Sequence, residues 1–301
     1  MHKVAFIKSD DRKYNVTRSL SLLKSEVVSV IKESKRIVVK PNCVIDNVQL
    51  AATHRDALDS LLSFIAPHAS QQIVLAEGAG IGDTMSAFKN YGYLSLQEKY
   101  DLALIDLNED APDTIDLIDK HGKKWQAQFA KTLLESDCII SISPPKTHDS
   151  VVYTGAIKNV SVAGLIRPSI NHGWRIMPKL GATKNNKSAI HQGPAIINEN
   201  IRRLYEHLKI RLAVIDGYTS MEGDGPIEGT MVPTHYAIAS TSALAVDSLA
   251  CVLMGIKLED VGYLTLLEAE KNECFIVGDS WEKSVTKFTM HRNFESIRKW
   301  R

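Results

Sequence analysis

The chain has 301 residues, 44% of them hydrophobic and 24% charged, with a formal net charge of +1. It is long enough to bury a large core and too apolar for a disordered chain, and its near-neutral balance argues against nucleic acid as a partner. The four cysteines, Cys43, Cys138, Cys251 and Cys274, lie far apart with no C-x-x-C pair, which excludes a zinc ribbon or an iron–sulfur run and leaves reduced, mostly buried thiols. The region after Met1 lacks the charged start and apolar run of a secretory signal, so a cytoplasmic location is expected.

In chain order, short apolar runs alternate with amphipathic stretches. Strands are expected at 4–7, 36–39, 73–76, 102–105, 138–142, 212–215 and 235–239, and helices at 17–33, 55–65, 85–91, 129–135 and 195–208. The runs are continuous and β-branched, as in strands covered on both faces, so they predict an α/β fold with a mostly parallel sheet and helices on both faces. In the 195–208 helix Pro194 sits at the first turn, and Ile197, Ile201, Leu204 and Leu208 form one apolar stripe. Residues 237–256 carry a single charge, Asp247, but are rich in Ser, Thr and Ala. Ser240-Thr241-Ser242 divides them into a strand and a capped helix closing at Gly255, and no membrane span is expected.

No repeat, low-complexity tract or Gly/Ser linker interrupts residues 1–301, which read as a single α/β domain; 257–301 carries only a faint pattern compatible with a small second lobe. Residues 144–193 break the rhythm and read as an embedded, basic, loop-rich insertion or lid. Between 150 and 198 stand Lys158, Arg167, Arg175, Lys179, Lys184 and Lys187 with no aspartate or glutamate. Glycines, prolines, Trp174, His172 and His191 interleave them, which favours the lining of a pocket for an acidic ligand over a solvated tail.

In an open parallel sheet, ligands bind beyond the carboxyl ends of the strands. The runs end in Lys40-Pro41-Asn42, Glu77-Gly78, Asp106-Leu107-Asn108, Pro144-Pro145-Lys146-Thr147-His148 and Asp216-Gly217, a polar rim. Lys40, Asn42, Thr147, Thr154, Asn159, His172 and Arg175 are read as substrate-binding, while Lys146 and Lys158 would neutralise an acid and His148 would move a proton; solvated loop lysines are the alternative. Gly155 permits close backbone approach to a ligand. Thr53 to Asp56 has capping-box spacing, which would put His54 on a first turn, where it is either simply exposed or a neutral acid–base group.

Glu77-Gly78-Ala79-Gly80-Ile81-Gly82-Asp83 lacks the third glycine of a dinucleotide loop and carries two carboxylates that would repel a pyrophosphate. It reads as a sharp turn presenting Glu77 to a metal or a lysine. Glu77, Asp216 and Glu222 are the residues that could hold a divalent metal, although Asp216 to Pro226 lacks the calcium-loop pattern and also reads as an ordinary glycine-rich turn. Asp247, inside an apolar helix, needs a partner, either a structural one such as a helix end or lysine, or a ligand.

Read together, Lys40-Pro41-Asn42, Ala52-Thr53-His54, Glu77-Gly78, Lys146-Thr147-His148, Thr154-Gly155-Ala156-Ile157-Lys158-Asn159, Met221-Glu222-Gly223-Asp224-Gly225-Pro226 and Ala245-Val246-Asp247 resemble the domain of unknown function 362 family over residues 36–255. Some relatives carry ferredoxin-like cysteine runs, which this chain lacks, so the resemblance implies no iron–sulfur cluster here. The residues point to an enzyme acting on a small carboxylated or phosphorylated metabolite by Lys/His acid–base or metal-assisted lyase or isomerase chemistry; the alternative is a non-catalytic anion-binding or redox accessory protein. Homo-oligomers fit either reading, and no membrane partner is expected.

Overall fold

The computed structural model describes residues 1–167 and 185–301. In chain order its elements are β1 His2–Lys8, α1 Arg12–Leu22, α2 Lys24–Glu33, β2 Ile37–Lys40, α3 Arg55–Ile65, β3 Ile73–Glu77, α4 Thr84–Asn90, β4 Leu102–Asp106, β5 Pro112–Ile118, β6 Lys124–Ala130, α5 Lys131–Leu134 and β7 Cys138–Ser143. They continue with β8 Lys146–His148, β9 Val152–Thr154, α6 Ala156–Ala163, α7 Asn186–Ala189, α8 Pro194–Glu206, β10 Ile210–Glu222, β11 Thr230–Ser240, α9 Ala243–Leu253, α10 Gly262–Leu266, β12 Cys274–Gly278 and α11 Phe294–Ile297.

The central sheet runs β12-β1-β11-β10-β7-β2-β3-β4. Only the pairs made by β11 are antiparallel; the rest of that path is parallel, so the protein is α/β with a mostly parallel sheet. Successive strand residues point to opposite faces. Val38, Ile139, Ala213 and Ile215 enter one core with apolar residues of α6, α8 and α9, whereas Val39, Ile140, Leu212 and Val214 enter another with those of α1 to α4. Burial on both faces is why the strand sequences run apolar without alternating.

Four expectations change. The 17–33 helix begins earlier and splits at Leu23, whose φ of −110° and ψ of 18° leave the helical region. Residues 129–135 are helical only over Lys131–Leu134, because Phe129 ends the β5–β6 hairpin as one of its buried side chains. Asp216-Gly217 is no turn: β10 runs through it, and Gly217 is required because a Cβ there would lie 2.1 Å from the Tyr236 ring. Residues 146–163, expected to be loop-rich, form β8, β9 and α6, while 168–184, including His172 and Arg175, lie outside the described residues. No helix among the described residues is long and apolar enough to cross a membrane. Ser242 caps α9 as read from the sequence.

Candidate functional site

Lys40 and Glu77 are the last residues of β2 and β3, and the strand register brings their ends together. Both side chains are buried, and Lys40 Nζ lies 2.7 Å from Glu77 Oε1. The Glu77 carboxylate also accepts from Cys43 N at 2.6 Å and Gly78 N at 2.7 Å. Lys40 donates further to Pro41 O at 2.6 Å and Asn159 Oδ1 at 3.1 Å, which uses all three ammonium hydrogens. Glu77 therefore pairs with a lysine, the second of the two partners its turn allowed.

Asn159 joins the strand ends to α6. Its Oδ1 also accepts from Asn42 Nδ2 at 3.1 Å, and its Nδ2 donates to Lys40 O and Ser141 Oγ, each at 3.1 Å. Asn42 Oδ1 in turn accepts from Lys146 Nζ at 2.5 Å, and Lys146 donates again to Ala51 O at 3.0 Å. Lys146 has no carboxylate within ion-pair distance among the described residues, and burial together with the nearby Lys158 charge brings its pKa down to about 7.

α6 is set by Asp247 of α9. The buried carboxylate accepts from Ala156 N at 2.7 Å, Ile157 N at 2.9 Å and Tyr153 Oη at 3.0 Å, so it fills the free amide hydrogens at the helix start. Burial raises its pKa to about 6 and those bonds pull it back. The structural reading of Asp247 holds. Gly155 serves this cap instead of a ligand: a Cβ there would lie 1.9 Å from Tyr153 Oη and 2.3 Å from Asp247 Oδ1.

These anchors surround a cavity of about 90 Å³. Of the residues singled out in the sequence, Asn42, Glu77, His148, Thr154, Lys158 and Asn159 line it. Lys158, 8% exposed, has no hydrogen-bond or ion-pair partner among the described residues, and burial brings its pKa down to about 8. Ser150 N lies 3.1 Å from His148 Nδ1. The Asp149 carboxylate stands 2.9 Å from the same Nδ1, yet burial and Lys158 outweigh it and bring the His148 pKa down to about 3. An imidazole so hard to protonate is a poor base and stays neutral at physiological pH.

Other expected residues fall elsewhere. Lys40 and Lys146 stand behind the wall and orient Glu77, Asn159 and Asn42, while Thr147 Oγ1 donates to Gly223 O at 2.9 Å and ties β8 to the turn after β10. Thr53 is not the cap of α3: its buried hydroxyl donates to Ile142 O at 2.8 Å, and His54 takes the cap position, accepting from Asp56 N at 3.1 Å. His54 does not line the cavity, and burial and Arg12 lower its pKa.

The carboxylates expected to hold a metal have other partners in this structure. Asp216 pairs with Arg12 at 3.2 Å, and Glu222 accepts from Thr289 N at 2.7 Å. Among the described residues no three His, Cys, Asp or Glu side chains gather to hold a metal ion.

Cys43 and Pro226 of the wall were not read as site residues in the sequence, whereas Gly78 stood on the polar rim and Lys187 in the basic stretch read as pocket lining.

Comparison with known proteins gives three findings. A model of the family described as Domain of unknown function (DUF362) matches residues 37–252. A thylakoid-associated protein of Synechocystis sp. is 19% identical over 218 residues, covering 72% of this chain and 62% of that protein, so the chain spans about six tenths of the curated relative it matches. The solved structure of the lactate racemase apoprotein from Thermoanaerobacterium thermosaccharolyticum is similar with a TM-score of 0.49 and 14% identity, over 85% of this chain and 57% of that one. With the greater part of its length matched by the family model, the chain belongs to the domain of unknown function 362 family.

Proposed function

We propose that the cavity holds a small carboxylate or phosphate and that the protein is an enzyme acting on it by proton transfer of the isomerase or lyase type. The observation that carries this reading is the Lys158 ammonium, buried on the cavity wall and unpaired among the described residues. Keeping a cation there costs several kcal/mol, which a bound anion offsets. His148 stands on the same wall as a neutral imidazole. A cation and a neutral imidazole facing one small volume suit the negative oxygens of a bound carboxylate or phosphate.

The test is deuterium incorporation, read by NMR, into a panel of small carboxylic acids incubated with the protein in heavy water. The account expects exchange at a carbon next to the carboxylate of at least one acid, lost in His148→Ala protein that keeps wild-type circular dichroism. An acid that binds without exchanging any carbon-bound hydrogen would turn the reading into that of a non-catalytic anion carrier.

A further inference from the structure

Lys187, on α7, is 6% exposed and lines the same cavity. Its Nζ donates to Gly78 O at 2.8 Å and Asn108 Oδ1 at 2.6 Å. Both acceptors are neutral, and the third N–H has no partner among the described residues. The nearby carboxylates are otherwise engaged: Glu77 is paired with Lys40, and Asp106 accepts from Thr84 Oγ1 and Asn108 N, each at 2.8 Å. Gly78 matters to this arrangement, because a Cβ there would lie 2.9 Å from Lys187 Nζ and 2.8 Å from Ala163 O.

The wall thus presents two buried ammonium groups, Lys158 from α6 and Lys187 from α7, neither balanced by a carboxylate in contact. A single negative charge would compensate only one of them. At about 90 Å³ the cavity is of small-molecule size. We infer that Lys187 is a second anion ligand and that the substrate is a small dianion held between Lys158 and Lys187. This rests on the anion-binding reading of the cavity and narrows its substrate class.

Calorimetric titration at pH 8 of acetate, malonate and inorganic phosphate into the full chain tests it, repeated in buffers of different ionisation enthalpy to count protons. With Lys158 brought down to about 8 and Lys187 to about 7, each lysine that meets a negative charge takes up protons. The inference expects a dianion to bind on the order of tenfold or more tighter than acetate and to take up about one proton more. Lys187→Met should remove that advantage. Preference for malonate marks a dicarboxylate, and preference for phosphate marks a phosphoryl group. Equal affinities and equal proton uptake for all three ions would overturn the dianion inference and leave the Lys158 site standing. Failure of every anion to bind would overturn both. If the Lys187 variant does not fold, proton uptake by the wild-type chain decides.

Discussion

Lys40 gives its three ammonium hydrogens to Glu77, Pro41 O and Asn159, and Glu77 takes two backbone amides as well. A buried pair so fully satisfied is sensitive to the loss of one partner, since the remaining charge has no water to turn to. Glu77→Gln should destabilise the protein by about 3–5 kcal/mol in urea unfolding. The double replacement Lys40→Met with Glu77→Leu should cost less than the sum of the two single changes; additive costs would show that the pair is not coupled. Lys158 calls for a different probe, its pH dependence. Burial holds its pKa near 8, so it is cationic below that pH and loses its charge above it. Acetate affinity should fall by about tenfold per pH unit above pH 8, and Lys158→Arg should remove that alkaline limb, because arginine stays charged. An unchanged limb in the arginine variant would assign the titration to another group. Lys158, His148, Asn42 and Asn159 were legible because they closely follow apolar runs or sit in one polar cluster. Lys187 was legible only as one cation of a stretch read as pocket lining; that Asn108 and the Gly78 carbonyl would hold it was not.

At the scale of elements, α6 brings Lys158 and Asn159 to the cavity, and Asp247 fixes where α6 begins. Removing that carboxylate leaves two helix amides and the Tyr153 hydroxyl unsatisfied. Asp247→Ala should therefore destabilise the fold by about 3 kcal/mol and weaken anion binding as well. Wild-type stability in that variant would contradict the capping role. Most strands of the central sheet could be read because burial on both faces leaves a continuous apolar run. The β5–β6 hairpin was missed although Ile115, Leu117, Ala127 and Phe129 are buried at alternate positions along its two strands; its end was merged with α5 as one helix. The antiparallel sense of β11 is invisible in sequence, since an apolar run reads the same in either direction.

Over the whole molecule, the fold buries Lys146, Lys158 and Lys187 at one end of the sheet without a carboxylate in contact among the described residues. Burial brings their pKa values down to about 7, 8 and 7, below the ordinary lysine value of 10.5. Between these values and 10.5 the unfolded chain binds more protons than the folded one, so stability rises with pH in that window, until the buried thiols begin to oppose it near pH 9. The thermal midpoint of the ligand-free protein should be about 3 °C or more higher at pH 8.5 than at pH 7, and saturating anion should shrink that difference. A midpoint that falls over this range would show that the lysines are compensated. The convergence of Lys40, Glu77, Asn42, Asn159 and His148 was foreshadowed by the polar strand ends. That Lys40 and Lys146 would stand behind the wall, and that Asp216 and Glu222 would be taken by Arg12 and the Thr289 amide, depends on contacts between segments far apart in the chain.

The most direct test of the central claim is calorimetric titration of malonate into the wild-type chain and into Lys158→Met protein at pH 7. Binding to the wild type that weakens by tenfold or more in the variant, with folding intact, is the result the account predicts. Equal affinity in the two proteins would contradict it, because the unpaired ammonium on the cavity wall would then not be what the anion meets.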